Sequence, residues 1–308
     1  MQLIKSLNDL HCQFQNVSLA LGTFDGVHLA HQYVIGRTVE WSQAHFGTSM
    51  VFTFSNHPMS LIQPHRVPPR LQTLAGKTEQ IRKLGVSVLA RVPFTRELLH
   101  LSPENFVQLL AQRIQPRHIV VGPNYSFGDK GLGNPGMLIA LAEKYGIETE
   151  ICPKIMIGDV MVSSTMIRRL LAEGDVAAAS SLLGRPYEMS GSIVYGDQRG
   201  RMLGFPTANL KPAANVLIPG KGVYAVRVRI GRTVHTGLCN IGVNPTFGQE
   251  QFRIETHILD FDQEIYGKKM TMYFLGRLRN EKAFSSVDAL VRQMQLDLQR
   301  ARIEYFAS

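Results

Sequence analysis

From Ser18 to about Ile155 the chain alternates short apolar, β-branched runs with longer stretches whose apolar residues recur at helical spacing. The short runs are SLALG at 18–22, SMVFTF at 49–54, VSVLARV at 86–92, HIVVG at 118–122 and ETEICPKI at 148–155; HQYVIGRTVEWSQAHF and ENFVQLLAQRI lie among the helical stretches. This order predicts parallel strands joined by crossover helices. In such a sheet, ligands gather at the carboxyl ends of the strands, so functional motifs are expected just after the apolar runs.

From Ile193 the pattern changes. GSIVYG, GVYAVRVRI, TGLCNIG, RIETHILD and MTMYFLG follow one another across turns rich in glycine, proline and asparagine, with no helical stretch between them. They predict an antiparallel barrel or sandwich. A last amphipathic helix is expected from about Ser286, with Ser285 and Asp288 at capping-box spacing and Val287, Leu290, Val291, Met294 and Leu298 on one face. The change of pattern sets a boundary near Gly184-Arg185-Pro186, giving domains 1–184 and 185–308. A length of 308 residues suits two domains.

Composition narrows the classes. Hydrophobic residues at 44% and charged residues at 19% fit a folded globular chain rather than a disordered one. The formal charge of +9 is spread evenly: residues 1–186 carry 17 basic and 13 acidic side chains, and 187–308 carry 16 and 11. Nucleotide phosphates suffice to explain it, and nucleic acid is not required. The N-terminus lacks the apolar core of a secretory signal, and no stretch approaches the ~18–20 apolar residues of a membrane span, so a cytoplasmic protein is expected. Cys12, Cys152 and Cys239 are widely spaced and odd in number, which suggests neither a disulfide framework nor a zinc site.

Gly22-Thr23-Phe24-Asp25-Gly26-Val27-His28-Leu29-Ala30-His31 follows the first apolar run and opens a helix. Two histidines three apart at a helix N-terminus can both face a phosphate group and donate to developing negative charge, helped by free amides and the helix dipole. Gly22 and Gly26 let the backbone approach a ligand. The pair also fits solvated or capping histidines; a zinc reading lacks the HExxH spacing and a third ligand. Ser163, Ser164, Thr165 and Arg168 lie at a second strand-to-helix junction, where hydroxyls and a guanidinium can hold phosphate or simply cap a surface helix. Between these motifs, the loops holding Asn56-His57-Pro58 and Asn124-Tyr125 offer aromatic and amide groups suited to a purine or isoalloxazine ring, or to core packing.

In the second half, the segment from Gly196 through Arg201 and Gly204 to Pro206-Thr207-Ala208-Asn209 is dense in glycine and basic residues. Thr207 and Asn209, two apart on an extended strand, share a face and supply oxygen ligands of the kind Mg²⁺ takes with nucleotide phosphates. The glycines can wrap phosphates with backbone N–H groups, or belong to a hairpin. No P-loop is present. Asn240–Thr246 reads as a polar loop, and Glu255 lies mid-strand, able to activate a substrate hydroxyl or to serve as a surface residue.

These segments resemble the bacterial bifunctional riboflavin kinase/FMN adenylyltransferases, also called FAD synthetases. The likeness implies an α/β Rossmann-like nucleotidyltransferase domain, then an antiparallel β-barrel flavokinase domain with a C-terminal helix. It implies ATP as co-substrate, Mg²⁺ as cofactor, and riboflavin, FMN and FAD as substrates and products; no membrane partner is expected, and a nucleic-acid partner is not favoured. By the same likeness His28, His31 and Arg168 act in adenylyl transfer, with Gly22, Phe24, Asp25, Gly26, Ser163, Ser164 and Thr165 around the ATP phosphates and His57, Pro58, Asn124 and Tyr125 around the flavin. Glu255 becomes the general base on the riboflavin 5′-hydroxyl, Thr207 and Asn209 the Mg²⁺ ligands, and Gly196, Arg201, Gly204, Pro206 and Tyr224 the surroundings of the kinase ATP. Ala30 stands where the family motif has glycine, and Asn124 where it usually has an acidic residue. Alternatives are a chain active only as a kinase, and a flavin-sensing or RNA-binding regulator. If the Ala30 methyl crowds the nucleotide, Ala30→Gly raises the rate at which FAD forms from FMN and ATP; an unchanged rate removes that explanation.

Overall fold

A computed structural model describes the chain apart from Cys12 and residues 197–204, 247–248 and 307–308, with the backbone alone between 244 and 251. By contacts it divides into two compact units, Met1–Pro69 with Leu74–Ser163, and Arg70–Thr73 with Ser164–Ser308.

The first unit contains β1 (Gln2–Ile4), β2 (Val17–Leu21), α1 (Leu29–Ala44), β3 (Thr48–Phe54), α2 (Met59–Ile62), α3 (Leu74–Lys83), β4 (Val88–Val92), α4 (Arg96–Leu99), α5 (Pro103–Arg113), β5 (Pro116–Val121), α6 (Pro135–Glu143), β6 (Glu148–Ile151) and a small hairpin of β7 (Met156–Ile157) and β8 (Val160–Met161). Its main sheet has six strands in the order β1-β4-β3-β2-β5-β6, all neighbours parallel. Every residue of β2 is buried, as expected of a strand covered on both faces. Leu19, Leu21, Met50, Phe52 and Ile119 pack with Phe106 and Leu110 of α5 and Leu138 of α6 on one face. Ala20, Val51, Leu89 and Val120 pack with Ile35 of α1 and Ile81 of α3 on the other. The N-terminal residues, left without an element by their sequence, form the edge strand β1 beside β4.

The second unit contains α7 (Ser164–Glu173), α8 (Val176–Leu183), β9 (Tyr187–Val194), β10 (Thr207–Pro212), β11 (Gly222–Ile230), β12 (Thr233–Thr246), β13 (Gln249–Ile258), β14 (Lys269–Arg279) and α9 (Val287–Glu304). Its strands close into an antiparallel barrel, β10-β13-β12-β11-β14-β9, which settles the choice between barrel and sandwich. Alternation along β11 puts Tyr224, Val226 and Val228 in the interior, while Val223 and Ala225 pack outward with Leu298, Ala301 and Tyr305 at the C-terminal end of the chain. Helix α9 is pinned by Arg279, whose Nε donates to both carboxylate oxygens of the buried Asp297 at 3.1 and 2.9 Å. Its N-cap is Ser286, accepting from the Ala289 N–H, so the cap falls one residue later than the Ser285–Asp288 spacing suggests. Val287 is exposed, and the buried face runs through Asp297 and Ala301.

The stretch Asn240–Thr246, expected as a loop, is instead the end of β12. Beyond Ile241 that strand leaves β11 and pairs with β13 alone as far as Thr246, and proline is tolerated on such an edge. The segment 164–183, assigned to the first domain by its sequence, packs with the barrel. The Gly220 N–H donates to the Leu171 carbonyl at 2.8 Å, Arg277 donates to the Glu173 carbonyl at 3.1 Å, and the Tyr187 N–H donates to Ser180 Oγ at 3.2 Å.

Away from the carboxyl edge, the imidazole of His118 is buried, with Nδ1 2.9 Å from Ser18 Oγ and Nε2 3.6 Å from Glu150. Its ring stacks on Trp41, the only tryptophan of the chain, at 4.9 Å, and Trp41 stacks on His45 at 3.9 Å. Burial holds the His118 pKa below its ordinary value, against the opposing pull of Glu148 and Glu150 and with Arg37 and His45 adding to the depression. An unfolded chain takes up this proton near pH ~6.5 and the folded chain only at lower pH, so stability falls as pH drops below that value. Unfolding followed by Trp41 fluorescence is expected to show a melting temperature that declines from pH 7 to pH 5, with a shallower decline in His118→Gln.

Candidate active sites

In the first unit the turn after β2 adopts an unusual backbone path. Phe24, Gly26 and Val27 have φ of 48°, 86° and 41°, although Phe24 and Val27 carry side chains that strongly disfavour that region. Both side chains are 1% exposed, so core packing holds the loop in this shape. A Cβ added at Gly22 would come within 2.9 Å of the Phe24 ring, so only glycine lets that ring fold under the turn.

The loop delivers His28 as the N-cap of α1, its Nδ1 accepting from the His31 N–H at 3.3 Å. When the imidazole is neutral, that bond leaves its proton on Nε2. The two histidine rings stack at 3.5 Å, and Phe24 meets His31 edge-on at 5.2 Å. The structure thus brings His28 and His31 together at a helix N-terminus, the setting expected of donors to a phosphate. Asp25 in the turn and Ala30 in the first turn of α1 are both half-buried.

The neighbouring loops lie at the same edge of the sheet. After β3, the Ser55 N–H donates to the Val92 carbonyl at 2.9 Å, and Asn56 exchanges two hydrogen bonds with the Phe94 backbone at 3.0 and 2.7 Å. His57 caps the short α2 through Nδ1, accepting from the Met59 N–H at 3.1 Å, and Pro58 precedes that helix. After β5, Asn124 is exposed, while Tyr125 stacks on Phe127 at 5.7 Å against the core. Ser163 ends the first unit; Ser164, Thr165 and Arg168 belong to α7 in the second, with Thr165 exposed and Arg168 half-buried.

Lys77 of α3 was not among the sequence candidates. It is 7% exposed, and its Nζ donates to the Thr23 carbonyl at 2.8 Å, the Phe54 carbonyl at 3.1 Å and Thr53 Oγ1 at 3.1 Å. A lysine in an amphipathic helix reads as a solvated residue; the sequence signal available was its place on the same face as Ile81, four residues on.

In the second unit, register decides which side chains meet. Along β10, Thr207 and Asn209 are half-buried and alternate with the buried Ala208 and Leu210. Asn209 pairs directly with Glu255 of β13, and Glu255 pairs with Asn240 of β12. Directly paired residues project to the same face, so Asn209, Glu255 and Asn240 form a polar row on the outer surface of the barrel. The Glu255 carboxylate lies 3.1 Å from Arg253 Nε. The Pro206 carbonyl accepts from His257 Nδ1 at 2.9 Å, with Phe205 edge-on to the same imidazole at 5.2 Å. Tyr224 is wholly buried inside the barrel, with its hydroxyl donating to the Gly220 carbonyl and its pKa pushed up to about 12 by burial. The Tyr224 ring is therefore part of the barrel core. Gly196 lies against the Asn209 carboxamide, and an added Cβ there would overlap it. Arg201 and Gly204 lie outside the described residues.

Comparison with known proteins matches each half of the chain separately. A family model for FAD synthetase matches residues 11–166, and one for riboflavin kinase matches 183–305. A bifunctional riboflavin kinase/FMN adenylyltransferase from Listeria monocytogenes is 39% identical over 289 residues, 93% of this chain and 92% of that protein. The chain belongs to the bifunctional riboflavin kinase/FMN adenylyltransferase family. The member from Escherichia coli strain K12 is 34% identical, with 99% of this chain and 98% of that protein aligned. A crystal structure of a macrolide-efflux protein from Streptococcus pneumoniae superposes with a TM-score of 0.90 at 31% identity, covering 97% of this chain and 98% of that one. The efflux in that name belongs to that protein; among the described residues here, no helix is long and apolar enough to cross a membrane.

Within this family's kinase domain, the Gly196 contact makes a specific demand. Gly196→Ala is expected to push the Asn209 carboxamide out of the row and lower riboflavin phosphorylation by on the order of 10²-fold, the scale of a 1 Å misplacement. FAD formation from supplied FMN, measured in parallel, should stay within about twofold, since every contact displaced lies in the barrel.

Proposed function

We propose that residues 185–308 phosphorylate riboflavin to FMN and that the module ending at residue 184 adenylylates FMN to FAD, both at the expense of ATP. The observation that carries this reading is that one chain holds both the Asn209–Glu255 pairing on a barrel and the stacked His28–His31 cap on a parallel sheet. Each falls in the part of the chain matched by the corresponding family model.

In the kinase step, Glu255 takes the proton of the riboflavin 5′-hydroxyl as that oxygen bonds to the γ-phosphorus, and the β–γ bridging oxygen leaves with ADP. The Arg253 guanidinium, with Nε 3.1 Å from the Glu255 carboxylate, aims it. Gly196, Arg201, Gly204 and Pro206 surround the ATP phosphates, next to the strand that holds Tyr224. The hydroxyl and carboxamide oxygens of Thr207 and Asn209 suit a hard cation, and the close fit of Gly196 around Asn209 keeps that carboxamide aimed. They would hold Mg²⁺, which when bound supplies neutralising charge to the phosphates.

In the adenylylation step, an FMN phosphate oxygen bonds to the α-phosphorus of a second ATP and pyrophosphate departs. His28, with its proton on Nε2, and His31 donate to the charge that develops, in the field of the α1 N-terminus. Gly22, Phe24, Asp25 and Gly26 supply the phosphate-facing turn, and Ser163, Ser164, Thr165 and Arg168 supply a second clamp. The loops of His57, Pro58, Asn124 and Tyr125 receive the flavin. Both reactions belong in the cytoplasm, a location supported by the free, buried Cys152 and Cys239.

Purified protein given riboflavin, ATP and Mg²⁺ should form FMN and then FAD, resolved by chromatography over time. FMN that accumulates without FAD, even when supplied directly, would leave a kinase alone, and no turnover would leave a flavin-binding regulator. Glu255→Gln is expected to lower riboflavin phosphorylation by on the order of 10²–10⁴-fold while FMN adenylylation continues.

A further inference from the structure

We propose that Lys77 is a positioning residue for adenylyl transfer, its buried ammonium setting the phosphate-facing turn from beneath. The inference rests on the reading that the parallel-sheet module adenylylates FMN.

An ammonium has three N–H donors, and here three acceptors meet it: the Thr23 carbonyl, the Phe54 carbonyl and Thr53 Oγ1. The Thr53 hydroxyl itself donates to the Thr23 carbonyl at 3.0 Å, so that carbonyl is held twice. One acceptor opens the turn after β2 and another ends β3, so a single charge from α3 ties together two loops of the catalytic edge. Helix α3 is itself fixed to β4, because Arg91 donates to the Leu74 carbonyl at 3.0 Å and to Thr78 Oγ1 at 2.7 Å. The anchor is thus rigidly mounted.

The consequence for chemistry follows from peptide geometry. The Thr23 carbonyl and the Phe24 N–H belong to one planar trans unit and point in opposite directions. By holding the carbonyl, Lys77 turns the Phe24 N–H away from α3 and fixes the starting direction of the left-handed turn that ends at His28. Charge-assisted bonds of this kind are the stronger class, and in a buried setting they do not exchange with water. Two of its three bonds, to the Thr23 carbonyl and to the Thr53 hydroxyl that also holds that carbonyl, converge on the ATP-facing turn, while the loop after β3 keeps its own ties from Asn56 to Phe94, so the effect falls mainly on the donors that meet ATP.

The test uses the full chain, with riboflavin phosphorylation as an internal control. Lys77→Met should raise the KM for ATP and lower kcat in FMN adenylylation, for a combined loss on the order of 10²-fold. The KM for FMN and the riboflavin phosphorylation rate should each stay within about twofold. Thr53→Val, which removes one acceptor at nearly constant volume, should give a loss of about fivefold with the same selectivity. It also serves as the decisive variant if Lys77→Met does not fold. Adenylylation unchanged in the variants, or a loss shared equally by ATP and FMN parameters, would overturn the proposal. Wild-type protein that forms no FAD would remove the underlying reading and the inference with it, whereas wild-type turnover matched by the variants removes the inference alone.

Discussion

Backbone pairing between strands decides where each unit can hold chemistry. In the parallel sheet the central strands are covered on both faces, so their side chains are committed to packing and polar groups can gather only where the strands end. In the closed barrel the alternate residues that face inward are largely apolar, with Thr256 among them, and the row of Asn209, Glu255 and Asn240 lies on the outer face. Antiparallel register then sets Asn209, Glu255 and Asn240 side by side from three strands that are far apart in sequence. Neither site needs a dedicated scaffold beyond the hydrogen bonds that make the fold.

The turn after β2 shows how packing and chemistry are joined. Left-handed backbone at Phe24 and Val27 costs about 1–3 kcal/mol per residue and persists only where the surroundings over-determine it. The surroundings here are the buried side chains of those same residues. The turn ends in a histidine cap where serine, threonine, aspartate or asparagine is usual. Using an imidazole nitrogen as the cap acceptor fixes which ring nitrogen carries the proton, so a structural duty also sets the donor.

Much of this was legible in the sequence. The spacing of apolar runs specifies the parallel sheet, because crossover helices leave a long 3.6-residue pattern between short strands, and the change at Ile193 marks the barrel. The glycine turn before His28, and the alternation of Thr207 and Asn209, follow from local pattern alone. Contacts set by tertiary register were not legible. Nothing local tells Asn240 that it will sit beside Glu255, or Lys77 that its ammonium will be buried beneath a loop 54 residues upstream. The interior position of the Tyr224 ring is likewise a product of strand phase, which one residue of slip would invert. The polar stretch 240–246 reads as a loop because asparagine and proline are turn formers, and only its pairing with β13 makes it a strand.

Helices α7 and α8 carry a consequence for heredity. They bridge the segments matched by the two family models, 11–166 and 183–305, overlapping each at one end, yet they are folded onto the barrel, supplying acceptors to Gly220, Arg277 and Tyr187. Thr165 and Arg168 ride on α7. A premature stop codon after residue 184 would therefore delete the barrel and also strip α7 and α8 of the barrel groups they bond to. The two halves of this gene are joined by more than a shared reading frame: a truncated allele that spares the first coding half would not be expected to complement in trans as an independent enzyme.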